Sequence, residues 1–582
     1  QLGESSTRKA IPKGTEISEV NLEMSLKLLA LPRVLGLHPE TKQEVKADYG
    51  RFGPYVSAGK GKNGRIPPQY SPLTIELDTA LELIAKRSSG PQELKSLGDH
   101  PKTGETLTLK DGRYGPYITD GKVNVGIPKG KDSKNITHKE YASFPDNLKG
   151  YFDIGLLHGE KEFLVYESER FLFKEALAKA AQVGNALLAE GISKGDRVAI
   201  CMQNNPEFIF AYMGIVGIGA VCVPLNSWWV PDEITYAVEH CEAKLLFGDQ
   251  KRLQGLENLV KVKKIITSYT PDINFICFTD FIKDHSSEWP DIQVTRDDHA
   301  TIYYTSGSTG KPKGVLSSQR GVISSMFSWA CISTILSERE GRMGKDTTPL
   351  ASSESCILLC VPLFHATGSH VAFLLSILVG RKVVIMKKWD AGEAIKLIHD
   401  EKITDITGVP TQTWELLNHP DRDQYDLSSL KTLGGGGGPR PAEHVKLLDD
   451  NFEGRPGIGY GLTETNALGT LGSGDEYIGH PSSAGRVVPP LTEIKIVDNE
   501  WNEIAEGKIG EIAIRSQSNM LGYWKNDEAT SECMNKEGWF RSGDMGKFEG
   551  PFLYIVDRIK DMVIRGGENI ACPEVELSLI HI

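Results

Sequence analysis

One stretch rich in glycine and hydroxyl residues constrains the fold of this chain more than any other feature. The apolar run over residues 300–304 predicts a buried strand, and the stretch Thr305-Ser-Gly-Ser-Thr-Gly-Lys-Pro-Lys-Gly314 follows it directly. Glycine permits positive φ angles and a close approach of the backbone, so the amides of such a loop can surround an anion. Lys311 and Lys313 add positive charge. We therefore predict a phosphate-binding loop; the alternative interpretation is a flexible Ser/Gly linker.

This loop differs from the phosphate loop of P-loop nucleotidases, whose pattern is Gly-x-x-x-x-Gly-Lys-[Ser/Thr]. Thr305 stands at the position of the first glycine, and Pro312 takes the place of the hydroxyl residue that ligates magnesium. The predicted phosphate site therefore belongs to a different kind of protein.

Length, hydropathy and cysteine content limit the classes of protein to which this chain can belong. A chain of 582 residues, 40% of them hydrophobic, is expected to fold into roughly three or four globular domains. The apolar run 371–379 is too short to span a bilayer, and the first six residues carry no apolar signal-peptide core. Nine cysteines without metal-binding spacing predict reduced thiols and a cytoplasmic protein.

The net charge of −12 is divided unevenly along the chain. Residues 1–140 hold 22 Lys and Arg against 17 Asp and Glu, a balance of +5, which leaves −17 for the remainder. This asymmetry predicts two parts with different functions.

An internal repeat occupies the first part. Leu35-Gly-Leu-His-Pro39 recurs as Leu97-Gly-Asp-His-Pro101, and the segment 50–56 recurs as 112–118, with the same offset of 62 residues. Leu77, Ala80, Leu81 and Ile84 form an apolar stripe at helical spacing. Each unit therefore predicts short strands that lead into one helix. We expect repeats over residues 1–72 and 73–135, followed by a linker over 136–147.

Each repeat places arginine beside aromatic residues within a Gly-Arg-aromatic-Gly-Pro-Tyr segment. Such pairs suit single-stranded nucleic acid, because bases stack on aromatic rings; the alternative is that the rings belong to the core of a small α+β unit. The repeats are similar to the C-terminal repeats of bacterial type IA DNA topoisomerases, which implies binding of single-stranded DNA without catalysis. The residues concerned are Arg51, Phe52, Tyr55, Arg113, Tyr114 and Tyr117.

The second part alternates apolar strands with amphipathic helices. Residues 162–166 and 195–201 predict strands, and residues 171–188 predict a helix. This alternation predicts a doubly wound α/β sheet.

Several motifs in the second part resemble the adenylate-forming superfamily, which includes acyl-CoA synthetases, luciferases and peptide-synthetase adenylation domains. The phosphate-loop stretch matches its signature, and Gly459-Tyr-Gly-Leu-Thr-Glu-Thr465, Gly538-Trp-Phe-Arg-Ser-Gly-Asp544 and Tyr554-Ile-Val-Asp-Arg-Ile-Lys-Asp561 follow in the family's order. The resemblance covers about residues 145–576. It implies an α/β fold with a large domain over 148–556 and a truncated small domain over 557–576.

The resemblance implies a role for each motif in binding ATP. Tyr460 offers an aromatic face to adenine, Asp544 accepts the ribose hydroxyls, and Arg558 contacts ribose and phosphate. The glycine run 434–438, which alone would indicate a flexible linker, corresponds to a turn that lies against the adenine. The implied ATP-binding residues are Thr305, Ser306, Gly307, Ser308, Thr309, Gly310, Lys311, Lys313, Gly314, Gly436, Gly437, Gly438, Gly459, Tyr460, Asp544 and Arg558.

The resemblance also implies catalytic residues: His365, Thr463, Glu464 and Arg558. Glu464 supplies a hard oxygen ligand for Mg²⁺, and His365 positions the carboxylate substrate, although a histidine after an apolar strand is also typical of a core or loop residue. Lys560 matches the hinge of the small domain. Arg565, Gly566 and Gly567 match the coenzyme A channel.

The implied activity is that of an acyl-CoA synthetase acting on ATP, CoA and a medium-chain, long-chain or aromatic acid. Ser227-Trp-Trp-Val230 resembles the medium- and long-chain enzymes. The family's adenylation lysine would lie beyond Ile582, so we expect a truncated reading frame in which residues 577–582 are an artefactual tail. Two alternatives remain open: a DNA-binding protein whose synthetase part is a passenger, and an inert fragment.

Overall fold

The computed structural model describes most of the chain, which divides into two compact units, residues 1–143 and 144–582. The described residues are 22–39, 41–50, 53–59, 63–67, 70–88, 92–99, 106–112, 115–119, 124–126, 145–256, 262–266, 275–305, 311–342, 355–558, 563–565 and 568–570. None of the helices in these ranges combines the length and the apolar character that crossing a membrane requires.

The first unit contains two four-stranded antiparallel sheets, in the orders β1-β2-β3-β4 and β5-β6-β7-β8. Its elements are α1 (Leu22–Leu29), β1 (Arg33–Leu37), β2 (Glu44–Gly50), β3 (Gly53–Ala58), β4 (Asn63–Arg65), α2 (Leu77–Ser88), β5 (Gln92–Asp99), β6 (Thr106–Gly112), β7 (Gly115–Thr119) and β8 (Asn124–Gly126).

Helix α2 packs on the first of these sheets. Ala80 and Ile84, from the predicted apolar stripe, are buried in one cluster with Val45 and Val56 of the sheet. The predicted helix is therefore confirmed, and it covers the sheet that precedes it in the chain. The repeat boundary expected after residue 72 stays a prediction.

Among the described residues, the second unit has more strands and more helices than the first. Its strands are β9 (Glu162–Tyr166), β10 (Glu169–Leu172), β11 (Arg197–Cys201), β12 (Val221–Pro224), β13 (Ala243–Gly248), β14 (Lys263–Ile266), β15 (Ile276–Cys277), β16 (His299–Thr305), β17 (Lys313–Ser318), β18 (Cys356–Leu359), β19 (Lys382–Ile385), β20 (Asp405–Gly408), β21 (Thr432–Gly435), β22 (Arg455–Tyr460), β23 (Thr470–Ser473), β24 (Arg486–Val487), β25 (Thr492–Val497), β26 (Gly510–Ser516), β27 (Gly522–Tyr523), β28 (Trp539–Glu549), β29 (Phe552–Arg558), β30 (Val563–Arg565) and β31 (Glu568–Ile570).

Its α-helices are α3 (Leu148–Phe152), α4 (Phe173–Ala189), α5 (Pro206–Gly217), α6 (Pro231–His240), α7 (Gln250–Leu253), α8 (Phe278–Ile282), α9 (Gln319–Arg342), α10 (Leu375–Val379), α11 (Ala391–Glu401), α12 (Pro410–Leu417), α13 (Ala442–Asn451), α14 (Gly474–Gly479) and α15 (Asp527–Cys533). Short 3₁₀ turns lie at Asp153–His158, Arg422–Gln424 and Thr463–Thr465, and a π-helical segment spans Thr367–Leu374.

Two large sheets form the centre of the second unit. One has eight strands in the order β15-β14-β13-β11-β12-β16-β17-β27, and the other has nine in the order β10-β9-β19-β18-β20-β21-β22-β23-β24. The strands from β15 to β16 are parallel in the first sheet, and those from β9 to β22 are parallel in the second. The predicted doubly wound α/β architecture is confirmed.

Helix α5 shows why the two sheets share a core. Asn205 caps its first turn by accepting from the Phe208 amide at 2.9 Å, and Pro206 occupies the first helical position. Its side chains are apolar on nearly every face and every residue except Glu207 is buried, as expected of a helix that lies between layers rather than at the surface. The main apolar cluster includes residues of α5 and of both sheets.

A third sheet, β25-β26-β28-β29, is antiparallel throughout. It carries two of the predicted nucleotide-binding residues, since Asp544 of β28 pairs with Arg558 of β29.

Near the beginning of the second unit in the chain, Asn147 caps α3, and its side-chain amide donates to the Val294 carbonyl at 2.7 Å. Most of the linker expected over residues 136–147 lies outside the described residues.

Candidate functional site

The predicted phosphate-binding loop connects two antiparallel strands, β16 and β17. Tyr304 pairs with Gly314 and Thr305 pairs with Lys313 across this hairpin, so the predicted strand before the loop is confirmed. Added to Gly314, a Cβ atom would lie 2.8 Å from Ile302 Cγ2, which leaves room only for glycine beside the loop. Ser306, Gly307, Ser308, Thr309 and Gly310 lie outside the described residues.

Two aromatic rings hold the lysines of the loop. Lys311 Nζ lies 5.1 Å from the centre of the Tyr236 ring, and Lys313 Nζ lies 4.9 Å from the centre of the Tyr523 ring. A cation over an aromatic face is attracted by the ring quadrupole. Each positive charge is therefore held by a different segment of the chain, and Lys313 is directed toward the neighbourhood of Glu464.

Glu464 lies on the 3₁₀ turn Thr463–Thr465 and is buried. Its Oε1 accepts the Tyr523 hydroxyl at 2.9 Å, and its backbone carbonyl accepts the Met520 amide at 2.7 Å. Burial raises the pKa of Glu464, while the Tyr523 hydroxyl and the Lys313 charge oppose that rise. The site thus holds a carboxylate that a further cation would stabilise.

The donor set around Glu464 fits one kind of metal site. Within the described ranges, no cluster of three or more His, Cys, Asp or Glu side chains is arranged to hold a metal ion. Magnesium commonly binds through one or two carboxylates, with water and nucleotide phosphates completing its octahedral shell. A single buried carboxylate beside the predicted phosphate-binding hairpin fits a Mg²⁺ ion that arrives with a nucleotide.

Tyr460, Asp544 and Arg558 form a second cluster. The Tyr460 hydroxyl donates to Asp544 Oδ2 at 2.8 Å, and Arg558 Nε lies 3.3 Å from Asp544 Oδ1. Asp544 is buried, and burial raises its pKa while Tyr460 and Arg558 oppose the rise. The Arg558 side chain is 71% exposed. The cluster therefore presents a hydrogen-bonded carboxylate and an exposed cation at one end of strand β22.

The run of five glycines is structured where the linker interpretation predicts flexibility. Gly434 and Gly435 are the last residues of the parallel strand β21, so for these two the linker interpretation is wrong. A Cβ on Gly435 would lie 2.6 Å from Arg440 Nη2, and one on Gly436 would lie 3.4 Å from the Gly459 carbonyl oxygen. The turn at Gly436–Gly438 therefore begins beside the strand that carries Tyr460, at the carboxyl ends of parallel strands, where α/β sheets bind ligands.

His365 lies in the turn that follows β18 and is exposed rather than buried. Its ring centre lies 4.6 Å from that of Phe364 and 6.4 Å from that of Trp228. Trp228 is itself 69% exposed. These three rings form an aromatic cluster in which Trp228 and His365 are exposed and Phe364 is buried.

Several predicted site residues lie wholly or partly outside the described part of the chain, and their roles stay predictions. Tyr55 is half-buried in β3. The side chains that are not described are Arg51, Phe52, Arg113, Tyr114, Tyr117, Lys560 and Arg565, and the glycines Gly566 and Gly567 belong to the same group.

A buried polar network that the sequence did not predict lies close to Glu464 in the chain. Asn466 and His370 are completely or almost completely buried and lie 3.0 Å apart, from Oδ1 to Nε2. Asn466 has a φ of +52°, a conformation that asparagine adopts more readily than most residues. The position of Asn466 directly after the Gly459–Thr465 motif is the one feature of the sequence that could have indicated this network, because His370 is remote in sequence.

Comparison with known proteins identifies the families that the two parts of the chain match. A family model described as AMP-binding enzyme matches residues 156–524, and one described as topoisomerase C-terminal repeat matches residues 38–93 and 100–142. The chain is 31% identical over 412 residues to a feruloyl-CoA synthase from Amycolatopsis sp, covering 70% of this chain and 77% of the relative. It is 30% identical to a 4-coumarate–CoA ligase from Vanilla planifolia, covering 71% and 74%.

Solved structures of CoA ligases are also similar to this chain. The anthranilate CoA ligase AuaEII in complex with anthranoyl-AMP superposes with a TM-score of 0.68 at 25% identity, covering 75% of this chain and 83% of that chain. A fatty acyl CoA synthetase from Mycobacterium tuberculosis superposes with a TM-score of 0.64 at 26% identity and the same coverage.

Proposed function

Because the chain belongs to the AMP-binding enzyme family, we propose that it is an acid–CoA ligase that works through an acyl-adenylate. In the first half of the reaction, a carboxylate oxygen attacks the α-phosphorus of ATP and the bond to pyrophosphate breaks. In the second half, the thiolate of CoA attacks the acyl carbonyl and AMP leaves with the electron pair of the broken C–O bond. The observation that carries this proposal is the Tyr460–Asp544–Arg558 cluster beside the glycine turn.

Each part of the cluster has a proposed contact with the nucleotide. The glycine turn Gly436–Gly438 and the ring of Tyr460 would enclose the adenine, because the turn lacks side chains that could block a flat base. Asp544 would accept the ribose hydroxyls. Its carboxylate is already oriented by Tyr460 and Arg558, so little reorganisation accompanies binding.

The first half-reaction brings an anion to a polyanion, so its transition state depends on fixed positive charge and amide donors. Lys313, the hairpin loop and Arg558 would supply these, and Thr463 would donate its hydroxyl to a phosphate oxygen. Mg²⁺ bound with Glu464 would neutralise part of the triphosphate charge. His365, exposed in its aromatic cluster, would orient the attacking carboxylate.

We propose an aromatic carboxylic acid as the substrate class. The feruloyl-CoA synthase and the 4-coumarate–CoA ligase act by name on aromatic acids, and the anthranilate ligase binds an aromatic adenylate. The aromatic ring cluster of Trp228, Phe364 and His365 is compatible with such an acid. A medium- or long-chain fatty acid is the competing candidate, and the mycobacterial neighbour supports it.

Exchange of labelled pyrophosphate into ATP by the full chain tests this proposal. We expect exchange that requires Mg²⁺ and is stimulated more by ferulate or 4-coumarate than by decanoate or palmitate. Exchange stimulated only by the fatty acids would overturn the substrate class. If none of the acids stimulates exchange and the protein also fails to bind ATP, the ligase proposal is wrong.

We propose separately that the first unit binds single-stranded DNA. The topoisomerase-repeat match and the +5 charge balance of residues 1–140 support this. Binding of a fluorescent oligothymidylate by the full chain should weaken steeply as salt rises, because phosphate contacts release counterions. Equal affinity at 50 mM and 200 mM salt, or no binding at the lower value, would contradict it.

A further inference from the structure

Asn466 contacts four other segments of the second unit, three through its buried side chain and one through its backbone carbonyl. Its Nδ2 donates to Ser317 Oγ at 3.1 Å and to the Ser518 carbonyl at 2.7 Å, and its Oδ1 lies 3.0 Å from His370 Nε2. Its own carbonyl accepts the Ser325 hydroxyl at 2.7 Å. Every polar atom of the Asn466 side chain therefore has a partner, and all the partners are buried.

The direction of each hydrogen bond follows from the chemistry of the partners. The Ser518 carbonyl can only accept, so it fixes the amide nitrogen of Asn466 on its own side. Oδ1 then faces His370 and can only accept, which places a hydrogen on His370 Nε2. Burial lowers the pKa of His370 to about 4, so the ring is neutral and its Nδ1 is an acceptor. Ser369 Oγ lies 3.0 Å from that Nδ1.

The network reaches both strands of the phosphate-loop hairpin. Tyr303 of β16, two residues before the loop begins, donates its hydroxyl to Ser369 Oγ at 2.7 Å. Ser317 lies on β17, which leaves the loop. Ser369 Oγ also lies 3.0 Å from the His365 carbonyl oxygen, so its single hydrogen can serve either that carbonyl or His370 Nδ1. The hairpin strands are therefore linked to Asn466, directly through Ser317 on one side and through Ser369 and His370 on the other.

Asn466 also ends the turn that carries Glu464. Its backbone N–H donates to the Thr463 carbonyl at 3.1 Å, and its positive φ of +52° turns the chain out of the 3₁₀ conformation. Ser518, which accepts from Asn466, lies two residues before Met520, whose amide donates to the Glu464 carbonyl at 2.7 Å. Asn466 itself and a segment that it hydrogen-bonds therefore lie on either side of Glu464.

We propose that Asn466 and His370 are positioning residues that hold the Thr463–Thr465 turn in register with the phosphate-loop hairpin. They place the Glu464 carboxylate where a magnesium–nucleotide complex binds, without touching the nucleotide themselves. This inference rests on the proposed function, because it assigns the turn to a Mg²⁺–ATP site.

The test compares ATP affinity of the full chain with Mg²⁺ and in EDTA, by calorimetric titration. Asn466→Gly keeps the positive φ without strain and removes the side-chain amide. Residues that orient a metal ligand typically affect metal affinity by about 10–100-fold, so we expect ATP to bind about tenfold more weakly with Mg²⁺. Affinity in EDTA should change by less than about twofold.

Two substitutions of His370 provide the second variant and its rescue. His370→Leu removes the hydrogen-bond donor and should give the same selective loss in the presence of Mg²⁺. His370→Gln keeps an N–H group near the position of Nε2 and should restore most of the affinity. Lys402→Gly is the matched control, because Lys402 also ends a helix with a positive φ, +53°, but is remote in sequence from the turn; its affinities should equal those of the unmodified chain.

Three outcomes would overturn the inference: unchanged affinity in both Asn466→Gly and His370→Leu, equal loss with and without Mg²⁺, or failure of His370→Gln to differ from His370→Leu. If Asn466→Gly does not fold, the comparison of His370→Leu with His370→Gln tests the inference alone. Absence of ATP binding by the unmodified chain would instead contradict the proposed function, and the inference would fall with it.

Discussion

The hydroxyl of Tyr460 donates a 2.8 Å hydrogen bond to Oδ2 of Asp544, 84 residues further along the chain. The two residues belong to different sheets, since Tyr460 ends β22 of the nine-stranded sheet and Asp544 lies on β28 of the antiparallel sheet. Burial raises the pKa of Tyr460, so the hydroxyl remains a donor at neutral pH. The bond therefore aligns the carboxylate that we assign to ribose.

Removal of that carboxylate should weaken nucleotide binding in a way that depends on the sugar. We expect Asp544→Ala to reduce ATP affinity by about 10²-fold, since hydrogen bonds to a charged group are worth about 1.5–3 kcal/mol. The same variant should bind ATP and 2′,3′-dideoxy-ATP equally, because its ribose partner is gone. Calorimetric titration of both nucleotides measures the difference.

Tyr460→Phe tests the orientation of the Asp544 carboxylate separately from its proposed contact with the ribose. It leaves the ring and the carboxylate but removes the hydroxyl that aligns Asp544, so the loss of ATP affinity should be about two- to tenfold. Discrimination between ATP and the dideoxy analogue should persist in this variant. If Asp544→Ala still discriminates between the two nucleotides, Asp544 does not contact the ribose.

Glu464→Gln should stabilise the nucleotide-free protein and abolish its response to Mg²⁺. The pKa of Glu464 is raised by burial, which means that the folded state disfavours the charged form. Between the ordinary carboxyl pKa and the raised one, the folded protein binds more protons than the unfolded chain. The free energy of unfolding therefore falls as pH rises through that interval and stays reduced at neutral pH.

Thermal unfolding in EDTA measures this effect. We expect Tm of Glu464→Gln to equal or exceed that of the unmodified chain by up to about 2 °C at pH 7, with a smaller difference at pH 4. The Tm increase produced by Mg²⁺–ATP should disappear. A variant that is less stable than the unmodified chain at pH 7 would show that the carboxylate is already well compensated.

Binding of Mg²⁺–ATP should itself depend on pH. Ligation requires ionised Glu464, and the raised pKa of this group moves its protonation to higher pH, so affinity should fall as the pH is lowered toward that value. Glu464→Gln should show a flatter profile. Titrations between pH 8 and pH 5 with a fixed excess of Mg²⁺ test this, and parallel profiles for both proteins would contradict it.

Gly461→Ala should disrupt the turn that carries Thr463 and Glu464. A Cβ at this position would lie 2.5 Å from the Ala467 carbonyl carbon, and backbone cannot move aside as a flexible side chain can. We expect a loss of about 1–3 kcal/mol of unfolding free energy. Gly479→Ala is the control, because its Cβ would meet nothing within 4 Å. Equal stability of the two variants by denaturant unfolding would refute the steric argument.

The strands and helices of the second unit could be predicted where local pattern decides structure. The run 162–166 was predicted as a strand and is one, and the strand before the phosphate loop is β16. Both depend on continuous apolar residues, which leave few alternatives once the chain must bury them. The segments that we propose to bind the nucleotide could be selected from the sequence because their motifs combine unusual residue types within a few positions.

The remaining features depend on neighbours that are remote in sequence. Gly434 and Gly435 look like a linker, but a Cβ on the first would lie 2.9 Å from Thr407 Oγ1 and one on the second 2.6 Å from Arg440 Nη2, so a larger residue would displace these side chains. The partners of Asn466 lie 96 and 149 residues away, at His370 and Ser317. No local pattern encodes such pairs, so they emerge only when the fold brings them together.

The central claim is that separate segments of the chain meet on one adenylate. Calorimetric titration of the full chain with a feruloyl-adenylate analogue, in which a sulfamoyl group replaces the phosphate, tests it most directly. The account predicts one bound molecule per chain, affinity at least about 10²-fold tighter than for AMP, and a loss of about 10²-fold in Asp544→Ala. No binding, or equal binding by the unmodified protein and Asp544→Ala, would contradict it.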